Sequence, residues 1–247
     1  MPVRAVLFDL GNTLWHIPEP PPIDQIRHET VGRILKLLRS WGLDPQDEHR
    51  FLGRDIRLAI TAADKQAYES DCISPDFAAI VQSVAAGKGL ELTPERADEL
   101  WHAWNLPGDF FGRRPFEDAI ETLDALRERG YQLACVTNRV FSGPAFYAEV
   151  EDLGLTPYFD TLVASCDIGY MKPHPKIFEH TLEALAIEPQ EALMVGDSLR
   201  ADVAGAQALG MTAVWRKPRK PLEELNGAEP DFVIDELREL LDLPVFQ

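Results

Sequence analysis

This chain of 247 residues predicts a doubly wound parallel α/β sheet interrupted by a helical insert. Three observations predict that class. Six short apolar runs recur along the chain, helical stretches lie between most of them, and one long helical segment separates the first run from the rest. Alternation of strand and helix is the pattern of a parallel sheet covered on both faces.

The first run is Val3–Phe8 (VRAVLF), with Asp9 directly after it. A continuous apolar run of this length reads as a buried parallel strand. The insert follows. Ile23, Ile26, Val31, Ile34, Leu35 and Leu38 fit one helix, stopped near Gly42. Further helices are expected at Glu48–Tyr68, Pro75–Ala86 and Pro94–Trp104, the last with Thr93 as N-cap and Pro94 in its first position. The segments Ile17–Pro22 (IPEPPP) and Asn105–Gly108 (NLPG) bracket the insert and read as stiff linkers or hinges. Residues 16–108 are therefore expected to form a helical cap domain, and residues 1–15 and 109–247 the core.

Past the insert, Phe116, Ile120, Leu123 and Leu126 make one apolar stripe over Phe116–Arg129. Glu117 and Asp118 suit the positive end of that helix, Arg127 and Arg129 the negative end, and Gly130 is a stop. The other strands are expected at Gln132–Val136 (QLACV), Thr161–Ala164 (TLVA), Ala192–Val195 (ALMV), Thr212–Trp215 (TAVW) and Phe232–Ile234 (FVI).

Composition narrows the function. Hydrophobic and charged fractions of 45% and 26% are those of an ordinary globular protein. A formal net charge of −17 argues against a nucleic-acid surface, which needs stripes of Lys and Arg. A small anionic substrate stays compatible, because a metal and a few local cations override a distant acidic surface. No apolar run is long enough for a membrane span, and the N-terminus lacks a basic-then-apolar signal pattern. Cys72, Cys135 and Cys166 are scattered and odd in number, which reads as reduced thiols in a cytoplasmic protein.

In an open α/β sheet, function gathers beyond the carboxyl ends of the strands. Four polar residues fall at or just past such ends: Asp9, Thr137, Lys172 and Asp197. Each alone has an ordinary structural reading as a helix cap, a strand-end hydroxyl or a solvated loop charge. Together they carry a resemblance. Phe8-Asp9-Leu10-Gly11-Asn12-Thr13-Leu14 is similar to F-D-x-D-G-T-L, and Ala134–Asn138 is an apolar strand ending in Thr-Asn. Gly169–Phe178 (GYMKPHPKIF) is close to G-x-x-K-P-x-P-x-I-F, and Val195-Gly196-Asp197-Ser198 is followed by Asp202. In this order they resemble the haloacid dehalogenase-like hydrolases over nearly the whole chain.

The resemblance implies a Rossmann-like core, with Asp9 as nucleophile and Mg²⁺ held by the Asp9 and Asp197 carboxylates and the Gly11 carbonyl. A carboxylate attacking an anionic phosphoryl group needs such neutralisation. The resemblance further implies that the Thr137 hydroxyl and the Asn138 N–H hold phosphoryl oxygens, and that Lys172 pairs with Asp9 and the transferring group. Asp202 is implied as a support for Lys172 or the metal's waters, or as a turn cap, and Thr13 as a further support. Gly205, Ala206 and Ala208 are expected to let their helix approach the sheet, and Gly210 to end it.

One position breaks the pattern. Family phosphatases carry a second Asp two residues after the nucleophile, as general acid and then base. Here Gly11 stands there, followed by Asn12 where Gly is usual. An acid–base group contributes ~10²–10⁴ in rate. Three readings stay open: a Mg²⁺-dependent phosphatase of small phosphorylated metabolites, a carbon–halogen hydrolase of the 2-haloacid type, and a catalytically weak binding protein on this fold. The Asp197 of Gly-Asp-Ser favours the first, since the dehalogenase pattern has no metal to hold. His16 is a candidate replacement acid, though a linker histidine is its plainer reading. His28 and His102 read as surface residues. Trp15, Trp101 and Trp104 are candidates for the cleft wall, the last two more simply as helix packing. Arg54 and Arg57 share one helical neighbourhood, read either as an anion subsite or as a solvated face.

Overall fold

The computed structural model describes residues 2–218 and 228–246, so residues 1, 219–227 and 247 of the expected core range lie outside it. Six strands form one parallel sheet: β1 (Ala5–Phe8), β4 (Gln132–Thr137), β5 (Thr161–Ala164), β6 (Ala192–Gly196), β7 (Thr212–Arg216) and β8 (Phe232–Ile234). Their order is β5-β4-β1-β6-β7-β8. The six expected runs are these six strands, displaced by at most two residues at an end.

Side chains of the central strands alternate between two apolar layers. Val6 and Phe8 of β1 face one layer with Leu133, Cys135, Leu193 and Val195. Ala5 and Leu7 face the other with Ala134, Val136, Ala192 and Met194. Both faces of each strand are thus dry, which is why the runs are continuously apolar rather than alternating. One layer is closed by α5 (Ala119–Glu128) and α6 (Pro144–Asp152) through Leu123, Leu126, Phe146 and Val150. The other is closed by α8 (Pro175–Leu185) and by the turns after β6, through Ile177, Phe178 and Val203.

Between β1 and α5 the chain builds α1 (Ile23–Ser40), α2 (Leu52–Glu69), α3 (Phe77–Ala86) and α4 (Pro94–Trp104). These pack around their own cluster of Ile34, Leu38, Leu52, Ile56, Phe77, Val81 and Leu100. Burying such side chains contributes about 1.5–3 kcal/mol each. The Thr93 hydroxyl accepts from the Arg96 N–H and caps α4, and Pro94 opens the helix. The Asp76 carboxylate caps α3 in the same way, so that helix begins two residues later than Pro75. The stretch from Glu48 does not form one α-helix: Asp47–Phe51 is a 3₁₀ turn that becomes α-helical at Leu52. Likewise the stripe from Phe116 starts its helix only at Ala119, because the Phe116 N–H is bonded to the Leu14 carbonyl.

The two passages between core and helical segment pair with each other. Strand β2 (Trp15–His16) lies antiparallel to β3 (Arg114–Pro115). A second junction joins the end of α2 to the short helix α7 (Ser165–Ile168) and the loop after it. The Met171 N–H donates to the Cys72 carbonyl at 2.8 Å, and the Ser74 N–H to the Gly169 carbonyl at 3.0 Å. No described helix is long and apolar enough to cross a membrane.

Candidate active site

Strand order changes direction around β1, which lies between β4 and β6, and a crevice opens at the carboxyl ends of these three strands. A cavity of about 270 Å³ sits there. It is lined by Asp9, Gly11, Thr137, Asn138, Lys172, Asp197 and Asp202, together with Trp15, Tyr68, Arg139, Ser198 and Ala201. Asp9 is the residue after β1, and parallel pairing puts its neighbour Phe8 opposite Cys135 and Val195. Register alone therefore brings the ends of three strands, distant in sequence, to one place.

Lys172 is buried, and its Nζ lies 2.7 Å from Asp9 Oδ1 and 2.7 Å from Asp202 Oδ1. Burial alone would lower its pKa, but the Asp202 and Asp9 carboxylates outweigh that and hold it protonated. Asn138 braces the backbone of the same residue. Its Oδ1 accepts from the Lys172 N–H at 2.7 Å, and its Nδ2 donates to the Lys172 carbonyl at 2.9 Å. Thr13 donates to Asp9 Oδ2 over a long 3.5 Å. Asp202 also accepts from the Ser198 N–H at 2.9 Å, so it pairs with Lys172 and ties the turn after β6 at once. Gly196 makes room for this: a Cβ there would lie 2.2 Å from the Asp202 carboxyl carbon.

Carboxylate oxygens of Asp9, Asp197 and Asp202 all lie within 4.8 Å of one another. Burial, then Asp9 and Asp202, push the Asp197 carboxyl up to about 7. Burial and Asp9 push Asp202 up to about 6 against the pull of Lys172. Three converging carboxylates with one ammonium leave excess negative charge in a desolvated place, which is the donor set a hard divalent cation fits. Asp9 and Asp197 remain the simplest ligand pair, since Asp202 already serves Lys172.

The turn after Asp9 is held by Asn12, a residue of the first motif, and by Arg216, which no sequence motif singled out. Asn12 has φ +56°, a left-handed conformation that Asn tolerates better than most residues. Its carbonyl accepts from Arg216 at 2.6 Å, and its side chain bonds the Asp197 carboxylate. Arg216 is buried, with its guanidinium 3.7 Å from the Phe116 ring centroid. The Trp15 ring lies over Gly11: a Cβ at position 11 would meet it at 3.6 Å. Arg139 follows Asn138 and is paired, like Arg113, with the buried Glu149.

Tyr68, at the end of α2, brings the helical segment to the cavity. The Ser198 hydroxyl is bonded to its phenol, and Arg200 stacks on its ring at 4.2 Å while donating to its carbonyl at 2.6 Å. Burial raises the phenol's pKa, so it is neutral. His16 lies elsewhere, stacked on Phe116 at 4.5 Å between ring centroids and not lining the cavity. Trp101 and Trp104 pack against the helical cluster. Arg54 and Arg57 line a different hollow. Gly205 allows close approach to the loop bearing Lys172, since a Cβ would come 3.0 Å from Pro173 Cα, and Gly210 ends its helix at φ +81°.

Comparison with known proteins finds relatives over nearly the whole length of the chain. A family model described as haloacid dehalogenase-like hydrolase matches residues 3–210. A glyceraldehyde 3-phosphate phosphatase from Methanopyrus kandleri is 31% identical over 246 residues, covering 98% of this chain and 97% of that protein. A ribulose-1,5-bisphosphate 5-phosphatase from Halopiger xanaduensis is 31% identical over 97% of this chain and 98% of its own length. The crystal structure of a HAD phosphatase from Thermococcus onnurineus superposes with TM-score 0.58 at 32% identity, over 97% of each chain. The motifs at the strand ends, their convergence on one cavity and relatives matched end to end lead to one assignment: the chain belongs to the haloacid dehalogenase-like hydrolases.

Proposed function

We propose that this protein is a Mg²⁺-dependent phosphatase that hydrolyses a small phosphorylated metabolite through a phosphoryl group carried on Asp9. The observation that carries the reading is the meeting of Asp9, Asp197 and Asp202 around Lys172. The full-length relatives at 31% identity, both named as phosphatases of small phosphate esters, support it. So does a cavity of about 270 Å³, a size suited to a small ester.

In this mechanism the Asp9 carboxylate attacks phosphorus and the leaving oxygen departs with its electron pair. Water then attacks the acyl phosphate, releasing phosphate and restoring Asp9. Lys172 neutralises charge on the transferring group, the Thr137 hydroxyl and Asn138 N–H bind its oxygens, and Asp202 and the Asn138 side chain keep Lys172 in place. Mg²⁺ held by Asp9, Asp197 and the Gly11 carbonyl would neutralise the approach of one anion to another. The segment at residues 16–108 serves as the cap, with Tyr68 facing the substrate. The unpaired thiols of Cys72, Cys135 and Cys166 fit a cytoplasmic setting.

Dehalogenase chemistry would use the Asp9 nucleophile but has no metal for Asp197 to hold, and that added carboxylate, without a cation, repels an anionic haloacid. A screen of phosphate esters and 2-haloacids, with and without Mg²⁺, separates the two. Phosphate release that stops in chelator, and that falls at least ~10³-fold in Asp9→Asn, is expected. Halide release that continues in chelator would replace this reading with the dehalogenase.

A further inference from the structure

A second concavity of about 350 Å³ lies between α1 and α2, at the end of α2 opposite Tyr68. It shares no lining residue with the catalytic cavity. Four arginines line it, Arg27, Arg50, Arg54 and Arg57, and no carboxylate does. The chain has 41 acidic residues against 24 basic ones, so a lining that carries four cations and no carboxylate stands out on this molecule. Arg27, Arg50 and Arg54 are paired with Asp24, Asp47 and Asp55, their near neighbours in sequence. Exposed pairs of this kind contribute little and are readily exchanged for a ligand. The Arg57 side chain makes no ion pair or hydrogen bond among the described residues.

The hollow also has an aromatic wall held in place. Phe51 is 51% exposed, and the Arg54 guanidinium lies 5.0 Å from its ring centroid. The Trp104 indole N–H donates to the Gly53 carbonyl at 3.1 Å. Gly53 has no space for a side chain, because a Cβ would come 2.7 Å from Thr30 Cγ2. Helices α1 and α2 therefore meet tightly at the floor, and the space above stays open. Its volume falls in the range of small-molecule pockets, which combine an apolar wall with a few placed polar groups.

We propose that this hollow binds a small organic anion with an aromatic or aliphatic body, separately from the substrate of Asp9. The anionic group meets Arg54 and Arg57, and the body lies on Phe51 and Trp104. The Mg²⁺-loaded protein is titrated with anilinonaphthalene sulfonate, followed by fluorescence and calorimetry. One-to-one binding is expected, weakened about tenfold or more in the Arg54→Gln/Arg57→Gln double variant. Phe51→Ser is expected to weaken it too, and Asp9→Asn to leave it unchanged. Arg54 is exposed and Arg57 half-buried, and circular dichroism is used to check that the double variant folds. Equal affinity in that variant, or loss of binding in Asp9→Asn, overturns the proposal. It is also overturned if sedimentation shows two copies paired through this face and the double variant monomeric, since the arginines would then serve a subunit contact.

Discussion

Gly11 stands where family phosphatases place their acid–base carboxylate, and its backbone lies outside the left-handed region. The left-handed residue of the turn is Asn12, at φ +56°. An Asp side chain at position 11 therefore enters without backbone strain, against the edge of the Trp15 ring. In the wild type, an aryl phosphate should give a burst of product followed by slow turnover, because no carboxylate at position 11 activates the second water. Gly11→Asp should speed the slow phase by ~10-fold or more. Asn12→Gly is the poorer companion, since it removes a bond to Asp197. Pre-steady-state hydrolysis by wild type and Gly11→Asp tests this. If there is no burst while chemistry limits turnover, and Gly11→Asp is no faster, position 11 is irrelevant to mechanism. The same vacancy predicts that rates fall by up to ~10²–10⁴ from aryl to alkyl esters, because an alkoxide leaves unprotonated. A flat dependence with chemistry rate-limiting would reveal another proton donor. Tyr68 lines the cavity as a neutral phenol and would be the first residue to substitute, ahead of His16 on Phe116.

Single elements depend on glycine in opposite ways. Gly196 ends β6 where a methyl group would overlap the Asp202 carboxylate. Gly196→Ala should destabilise the fold by about 1–3 kcal/mol through overpacking. It should also cut kcat by more than the thermal shift alone explains, since Asp202 holds Lys172. A variant with wild-type stability and rate would show that the turn yields freely. Gly32 is the contrasting case: it lies inside α1 with open space around its missing Cβ. Gly32→Ala should stabilise by about 0.5–1 kcal/mol, because it only reduces the backbone entropy lost in a helix. Thermal denaturation of the two variants side by side reads both signs.

At the scale of the molecule, the carboxylate cluster ties stability to pH and to metal. The Asp197 and Asp202 carboxyls are raised from 3.8 to about 7 and about 6. The folded metal-free protein thus binds more protons than the unfolded chain between about pH 4 and pH 7. This contribution to stability is fully present below that window and is lost as pH rises through it. A divalent cation held by these carboxylates would replace those protons. The gain in melting temperature from Mg²⁺ should therefore be small near ~pH 5 and largest above ~pH 7. An equal gain at both ends, or none at either, would mean the three carboxylates are not where the cation binds.

Sequence alone determined the sheet and the ends of its strands. Runs such as VRAVLF and ALMV must be dry on both faces, and a parallel sheet covered by helices is the arrangement that makes them so. Asp9, Thr137 and Asp197 were legible because each sits where such a run stops, and strand ends of a parallel sheet share one edge; Lys172, in the loop after α7, was legible from the motif GYMKPHPKIF. Tertiary structure alone decided what surrounds them. Tyr68 meets Arg200 across 132 residues of chain, and Arg216 reaches Asn12 across 204. Periodicity tells which face of an element is buried and says nothing of which partner covers it. The short ribbon Trp15–His16 with Arg114–Pro115 was invisible for a related reason: two residues carry no period. His16 stood beside the motif in sequence, yet that ribbon turns it onto Phe116. Asp202, read as a lysine support, a water-shell residue or a cap, is placed against Lys172 and the Ser198 N–H together, because Gly196 leaves the one space where its carboxylate fits.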